Sequence, residues 1–209
     1  MASNRPRTAI VTGAARRVGA AIAGALVADG WTVLAHVHHD GDSVPPGARK
    51  VVADLAEVVA VETIFDAAEG LPPMALLVNN AARFAWDGPG ALDAAEFDAH
   101  MAVNVRAPAL LIDALGKRHR AGDDACVVNI LDSKIAAPNP DFLSYTLSKQ
   151  ALAGVTDLYA RALARKGIRV NAVAPALMLR SSGQSEENYQ AMHAMNPLGR
   201  GVEPDDLVA

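Results

Sequence analysis

Thr8-Ala9-Ile10-Val11-Thr12-Gly13-Ala14-Ala15-Arg16-Arg17-Val18-Gly19, near the start of the chain, is the stretch whose reading decides the fold. Its first four residues are a short β-prone run that stops at Thr12-Gly13. Beyond the turn, Val18, Ile22, Leu26 and Val27 recur at helical spacing until Asp29-Gly30 closes them off. Strand, glycine turn and helix in that order present the free backbone N–H groups of a helix N-terminus to a phosphate, as in the opening unit of a dinucleotide-binding sheet. The glycines are Gly13 and Gly19, with Arg17 where a middle glycine is common, so the loop is a long Thr-Gly-x-x-x-x-x-Gly form and not Gly-x-Gly-x-x-Gly.

The rest of the chain repeats the alternation. Residues 31–37 read as a second strand and 50–53 as a third. The stretch between them carries Gly41 and Pro45-Pro46-Gly47 and is near the minimum length of a parallel crossover, which predicts a loop without a helix. Val58, Val61, Ile64 and Phe65 form a helical stripe ended by Gly70-Leu71-Pro72-Pro73. A strand at 75–78, a helix over about 96–115, a strand at 125–130, a helix over about 144–166 and a strand at 169–173 follow. Such alternation predicts an α/β, doubly wound parallel sheet in three α/β/α layers, one domain over 1–209.

The bulk properties bound the partners. A chain of 209 residues suits one domain with a full core. A net charge of -4 without a basic block argues against nucleic acid or an anionic membrane as the main partner. Cys126 is the single cysteine, excludes an internal disulfide and reads as a buried, inert thiol. Arg16 and Arg17 interrupt the apolar start, against a signal peptide, and no apolar run approaches the ~20 residues of a membrane span. A soluble protein of the cytoplasm is expected.

One further pairing bears on chemistry. Tyr145 and Lys149, downstream of Leu131-Asp132-Ser133, are four apart and share a helix face. There the ammonium favours the phenolate and lowers the phenol's pKa, making Tyr145 a proton donor near neutral pH. An ordinary surface helix carries such a pair by chance, so its weight comes from its surroundings.

Those surroundings resemble the short-chain dehydrogenase/reductases along the whole chain. Thr12-Gly13 with Gly19 is similar to the family's cofactor loop, Asp54-Leu55 to its adenine pair, and Asn79-Asn80-Ala81-Ala82 to its Asn-Asn-Ala-Gly motif. Asn104 matches its helix asparagine, Tyr145 with Lys149 its Tyr-x-x-x-Lys, and Asn171 with Pro175 its late Arg-Val-Asn…Pro-Gly segment, Ala176 replacing the glycine. The resemblance implies a Rossmann-type fold, an NAD(P) cofactor, and a homotetramer or homodimer acting on a small molecule. It implies cofactor contacts from Gly13, Arg16, Arg17, Val18 and Gly19, from Asp54 and Leu55, and from Asn80, Ala81, Lys149 and Pro175. It implies a catalytic set of Asn104, Asp132, Tyr145 and Lys149, in which Lys149 binds the nicotinamide ribose and Asn104 holds a proton-relaying water.

Two departures resemble the pteridine reductases and the bacterial dihydromonapterin reductases. Asp132 stands thirteen residues before Tyr145, where the family usually has serine, and Arg17 lies in the glycine loop. Ser133 is adjacent, so a one-residue slip stays open, as does a turn cap for Asp132. Phe84 falls where pteridine reductases sandwich the pterin against the nicotinamide; a rim or core aromatic is the other reading. Arg17, Phe84, Asp132 and Tyr145 are the implied substrate contacts.

Cofactor choice follows from Ala35-His36-Val37-His38-His39-Asp40, where Val37 replaces the acid that would bind a ribose 2′-hydroxyl. His38 and His39, with Arg16 or Arg17, would hold a 2′-phosphate, so NADPH is expected, although Asp40 weighs slightly against it. No acid or cysteine at ligand spacing accompanies the histidines, so no metal is expected. An aspartate buried beside Tyr145 should hold a proton and pass it to a ring nitrogen, which suits reduction of a pterin or folate C=N bond. A carbonyl reductase with Asp132 in the serine's part, or a non-catalytic dinucleotide-binding protein, remains open. A lid is expected over 177–196, with Ser181-Ser182-Gly183-Gln184-Ser185 followed by Tyr189, Met192 and Met195. Pro204 with Asp205 and Asp206 starts a helix, beyond which related reductases add a last strand that this chain is expected to lack.

Overall fold

A computed structural model describes residues 5–120, 122–180, 183–196 and 200–208; Ser181 and Ser182 of the expected lid, and Ala209, lie outside the described residues. Six strands, Thr8–Val11 (β1), Thr32–Val37 (β2), Arg49–Val52 (β3), Met74–Asn79 (β4), Ala125–Ile130 (β5) and Ile168–Val173 (β6), form one sheet. It is parallel throughout, in the order β3-β2-β1-β4-β5-β6. β1 is buried at all four positions and β2 at all but its first, the pattern of strands covered on both faces.

The helices are Arg17–Ala28 (α1), Ala60–Ala67 (α2), Ala94–Met101 (α3), Ala107–Arg118 (α4), Leu143–Leu163 (α5), Glu186–Ala194 (α6) and Pro204–Val208 (α7). Because β side chains alternate, Ile10 and Val11 feed opposite cores. Ile10, Leu34 and Leu77 pack with Ile64, Phe65, Leu111 and Leu115 of α2 and α4. Val11, Val33 and Val78 pack with Ile22 and Ala23 of α1, and Leu207 and Val208 of α7 lie against that core. No helix among the described residues is long and apolar enough to cross a membrane.

This topology positions the site. The chain leaves β1 towards β2 and β3, then crosses back to place β4 on the other side of β1. A crevice therefore opens beyond the carboxyl ends of β1 and β4, where Gly13 and Asn80 stand.

Most boundaries fall within a few residues of expectation, and the differences that matter are these. The helix expected over 96–115 is broken into α3, a π-helical turn Ala102–Arg106 and α4. Pro108 is the reason: without an N–H it cannot bond the carbonyl of Asn104, and the register widens around it. Val58 lies before α2 and is 60% exposed, so the buried stripe is Val61, Ile64 and Phe65. The strand read at 169–173 begins at Ile168. Cys126 is half-buried, its sulfur accepting from Asn171 of the neighbouring strand at 3.6 Å. Between β2 and β3 there is only loop, as Pro45-Pro46-Gly47 dictates.

Candidate active site

Beyond β1 and β4 the backbone forms a cradle fastened by two side chains. The Thr12 hydroxyl accepts the N–H groups of Asn80 and Ala81, each at 3.0 Å. The Asn80 amide donates to the carbonyls of Thr12 at 2.8 Å and Gly13 at 3.1 Å. Gly13 has φ +67°, and a Cβ there would sit 2.8 Å from Ala81 Cα. A Cβ on Gly19 would sit 2.1 Å from the Gly13 carbonyl oxygen and 2.4 Å from Asn80 Nδ2. Neither position tolerates a side chain without displacing backbone. Gly19→Ala is thus expected to weaken dinucleotide binding at least ~100-fold and to lower the melting temperature, read by titration calorimetry and thermal unfolding. The N-cap of α1, Arg16, supplies no side-chain cap, and the first turn contains no acid, so its N–H groups are left for an anion.

Arg17 departs from the expected phosphate pocket. At φ 54° it turns its guanidinium to the lid, donating to the carbonyls of Leu179 at 3.2 Å and Arg180 at 3.0 Å. The other corner suits the ribose phosphate better. The rings of His38 and His39 lie 4.0 Å apart, and His38 Nε2 is 3.6 Å from Asp54 Oδ2. Asp40, which would oppose a phosphate, is drawn to Lys50 at 3.4 Å.

The corner expected to carry the chemistry forms where β5 ends. Asp132 is extended and starts a 3-10 turn, Ser133–Ile135, its Oδ1 accepting the Lys134 N–H at 2.8 Å. Its Oδ2 accepts the Tyr145 hydroxyl at 2.9 Å. Asp132 is thus held by a backbone N–H on one oxygen and by the Tyr145 hydroxyl on the other. Ser133 is exposed, and its N–H bonds the Pro175 carbonyl at 3.1 Å. Lys149 is 2% exposed and donates to the Ile130 carbonyl at 2.7 Å. Burial pulls this lysine down to about 8, against the opposing pull of Asp132. The phenol behaves contrary to the sequence reading: burial, then the charge and hydrogen bond of Asp132, push Tyr145 well above its usual range. Lys149 lies 5.7 Å from the Tyr145 ring centroid and does not reverse this.

Asn104, in the π-helical turn, fastens the loop after β4 through its side chain. Its Oδ1 accepts the Arg83 N–H at 2.8 Å, and its Nδ2 donates to the Arg83 carbonyl at 3.0 Å and to Ser148 Oγ at 2.9 Å. Both of its amide hydrogens and one lone pair of its oxygen are taken up by protein.

Above Tyr145 stands an aromatic wall. Phe84 stacks on Phe142 at 4.4 Å between centroids and meets Tyr145 edge-on at 4.8 Å. Phe142 has φ 58°, ψ 52°, a left-handed conformation rare for a bulky residue and one that persists only when its surroundings enforce it. Asp87 does so from 57 residues away: its Oδ1 accepts the Ser144 N–H at 3.0 Å and caps α5, which lacks a cap of its own. His100, fully buried, accepts the Ala85 N–H on Nε2 at 3.2 Å, so its Nδ1–H faces Ser144 Oγ at 2.7 Å. Phe142, Asp87, Ser144 and His100 escaped the sequence reading.

Comparison with known proteins gives four points of reference. The family model described as enoyl-(acyl carrier protein) reductase matches residues 13–209. The solved alternative dihydrofolate reductase 1 (FolM) of Brucella suis, in complex with NADP, is similar at TM-score 0.88 and 37% identity, over 100% of this chain and 87% of that one. Pteridine reductase 1 of Leishmania tarentolae is 31% identical, over 81% of this chain and 75% of its own length. D-threitol dehydrogenase of Mycolicibacterium smegmatis is 27% identical, over 97% and 83%.

Proposed function

The chain belongs to the short-chain dehydrogenase/reductases, as an NADP(H)-dependent oxidoreductase, and from that premise we propose that it reduces a C=N bond of a dihydropterin or dihydrofolate. The observation that carries this reading is the Tyr145 hydroxyl on Asp132 at 2.9 Å, beneath the stacked Phe84 and Phe142. A planar heterocycle can stack beside this aromatic wall, and a carboxylate beside the proton donor suits a nitrogen that must be protonated. The cradle at Gly13 and Gly19, the open N-terminus of α1 and the paired His38 and His39 fit a phosphate-bearing dinucleotide.

When bound, the dinucleotide supplies a hydride to the ring carbon. Tyr145 gives its proton towards the neighbouring nitrogen, and Asp132, on the same hydroxyl, is the route by which that proton is replaced. Lys149, held against the Ile130 carbonyl, provides the positive charge that eases the loss of the phenolic proton. Asn104 holds the Arg83 backbone, and with it Phe84, over the reacting ring. Leu147 and Leu158 on α5, 41% and 68% exposed, are apolar surface that a homo-oligomer would cover.

A second reading, an NADPH-dependent carbonyl reductase, is favoured by the two hydrogen bonds that fix Asp132, to the Lys134 N–H and the Tyr145 hydroxyl, as an orienting group would be fixed. Initial rates of NADPH oxidation with dihydrobiopterin, dihydrofolate and a panel of small ketones separate the two. The pterins are expected to exceed the ketones in kcat/KM about tenfold or more, and the reverse order selects the carbonyl reductase.

A further inference from the structure

The buried end of β2 holds an imidazole that the chemistry above does not use. His36 is 2% exposed. Its Nδ1 lies 3.2 Å from the Gly13 N–H, and its Nε2 lies 3.0 Å from the Ala53 carbonyl oxygen. A carbonyl oxygen only accepts, so the proton resides on Nε2 and the Nδ1 lone pair receives Gly13. Both bonds require one tautomer of the neutral ring. The His36 carbonyl in turn accepts the Ala14 N–H at 2.9 Å.

These partners belong to three separate stretches. Gly13 is the turn of the phosphate cradle, Ala53 leads into Asp54-Leu55, and His38 follows two residues on, 3.6 Å from Asp54. We infer that His36 is a positioning residue that pins the phosphate cradle to the end of β3, and that its protonation loosens the grip on NADH and NADPH alike.

Protonation would set an Nδ1–H against the Gly13 N–H, two donors face to face in a buried place. Burial pushes His36 below its usual range, and the neighbouring His38 acts the same way, whereas the bond to Ala53 and the charge of Asp54 act against it. From the cradle it is backbone, at Gly13 and Ala14, that reaches the residue.

The experiment measures NADH and NADPH dissociation constants by titration calorimetry from about pH 5 to about pH 8, with the melting temperature of the unliganded protein at each pH. NADH lacks the 2′-phosphate, so the charge on His38 does not enter its binding. Asparagine keeps an acceptor at the δ position; glutamine reaches the ε position and removes it. Wild-type affinity for NADH is expected to fall towards the acid end of this range, below the ordinary imidazole value, because burial pushes His36 down. His36→Gln is expected to bind both dinucleotides about tenfold more weakly at neutral pH. His36→Asn is expected to restore affinity to within about threefold and to flatten the pH dependence. A loss confined to NADPH, a flat wild-type NADH profile, or equal losses in both variants alongside equal falls in melting temperature would each overturn the inference.

Discussion

Tyr145→Phe is expected to lower turnover about 10³-fold while the NADPH dissociation constant stays within about threefold of wild type. The phenyl ring keeps the edge contact with Phe84 and the burial of the native side chain, so the cavity is unchanged. What disappears is the hydroxyl that bonds Asp132 at 2.9 Å, and with it the proton donor. Since burial and Asp132 hold this phenol above its ordinary range, Tyr145 remains protonated throughout the working range and acts as an acid from the outset. The pH dependence then falls to Lys149, depressed to about 8. Below that value the ammonium is present; above it the charge that eases proton loss from Tyr145 disappears. Reductive kcat/KM is therefore expected to fall as pH rises through about 8, and a profile rising there, or an active Tyr145→Phe enzyme, would remove the assignment.

The same shifts act on folding with opposite signs. The unfolded lysine keeps its proton to roughly 10.4 whereas the folded one gives it up earlier, so this group adds stability as pH rises between those points. The tyrosine, raised in the fold, loses its contribution as pH climbs above roughly 10. Burial of His36 and His100 lowers both, so their stability is intact above roughly 6.5 and is lost as pH falls further.

What the sequence revealed was whatever physics writes locally. The run Thr8–Val11, the glycine turn and the stripe through Ile22 could be read because strand and helix periods differ, and Pro45-Pro46-Gly47 forbade a helix between β2 and β3. Tyr145, Lys149 and Asp132 were found by spacing and by resemblance, and the fold brings them to one corner. The sign of the Tyr145 shift was misread because it depends on burial and on a carboxylate thirteen residues away, neither of which helical spacing reports. Arg17 was offered beside Arg16 as a phosphate ligand on its charge and on resemblance, whereas in the fold its guanidinium, on a left-handed backbone, bonds the carbonyls of Leu179 and Arg180. The props beneath the site were invisible for a similar reason. Asp87 caps a helix that begins 56 residues later, and His100 bonds Ser144 across 44 residues, so only the assembled fold brings them together.

Asp132→Asn is the substitution on which the choice of substrate turns. Asparagine keeps the oxygen that caps the Lys134 N–H, which alanine would lose at a cost of about 1 kcal/mol, so the 3-10 turn and the position of Tyr145 survive. It removes the negative charge and the capacity to take up a proton. If Asp132 resupplies Tyr145 for reduction at a ring nitrogen, dihydropterin turnover should fall about 10²-fold while ketone turnover stays within about threefold. An equal fall on both substrates would make the aspartate an orienting acceptor for Tyr145, as the carbonyl-reductase reading has it. No fall on either would leave Asp132 as a turn cap. Ser133→Ala is the companion control, because the serine is exposed while the hydroxyl of Tyr145 is committed to Asp132. It should leave both activities unchanged, and a loss there would restore the one-residue slip and move the proton chemistry from a carboxylate to a hydroxyl.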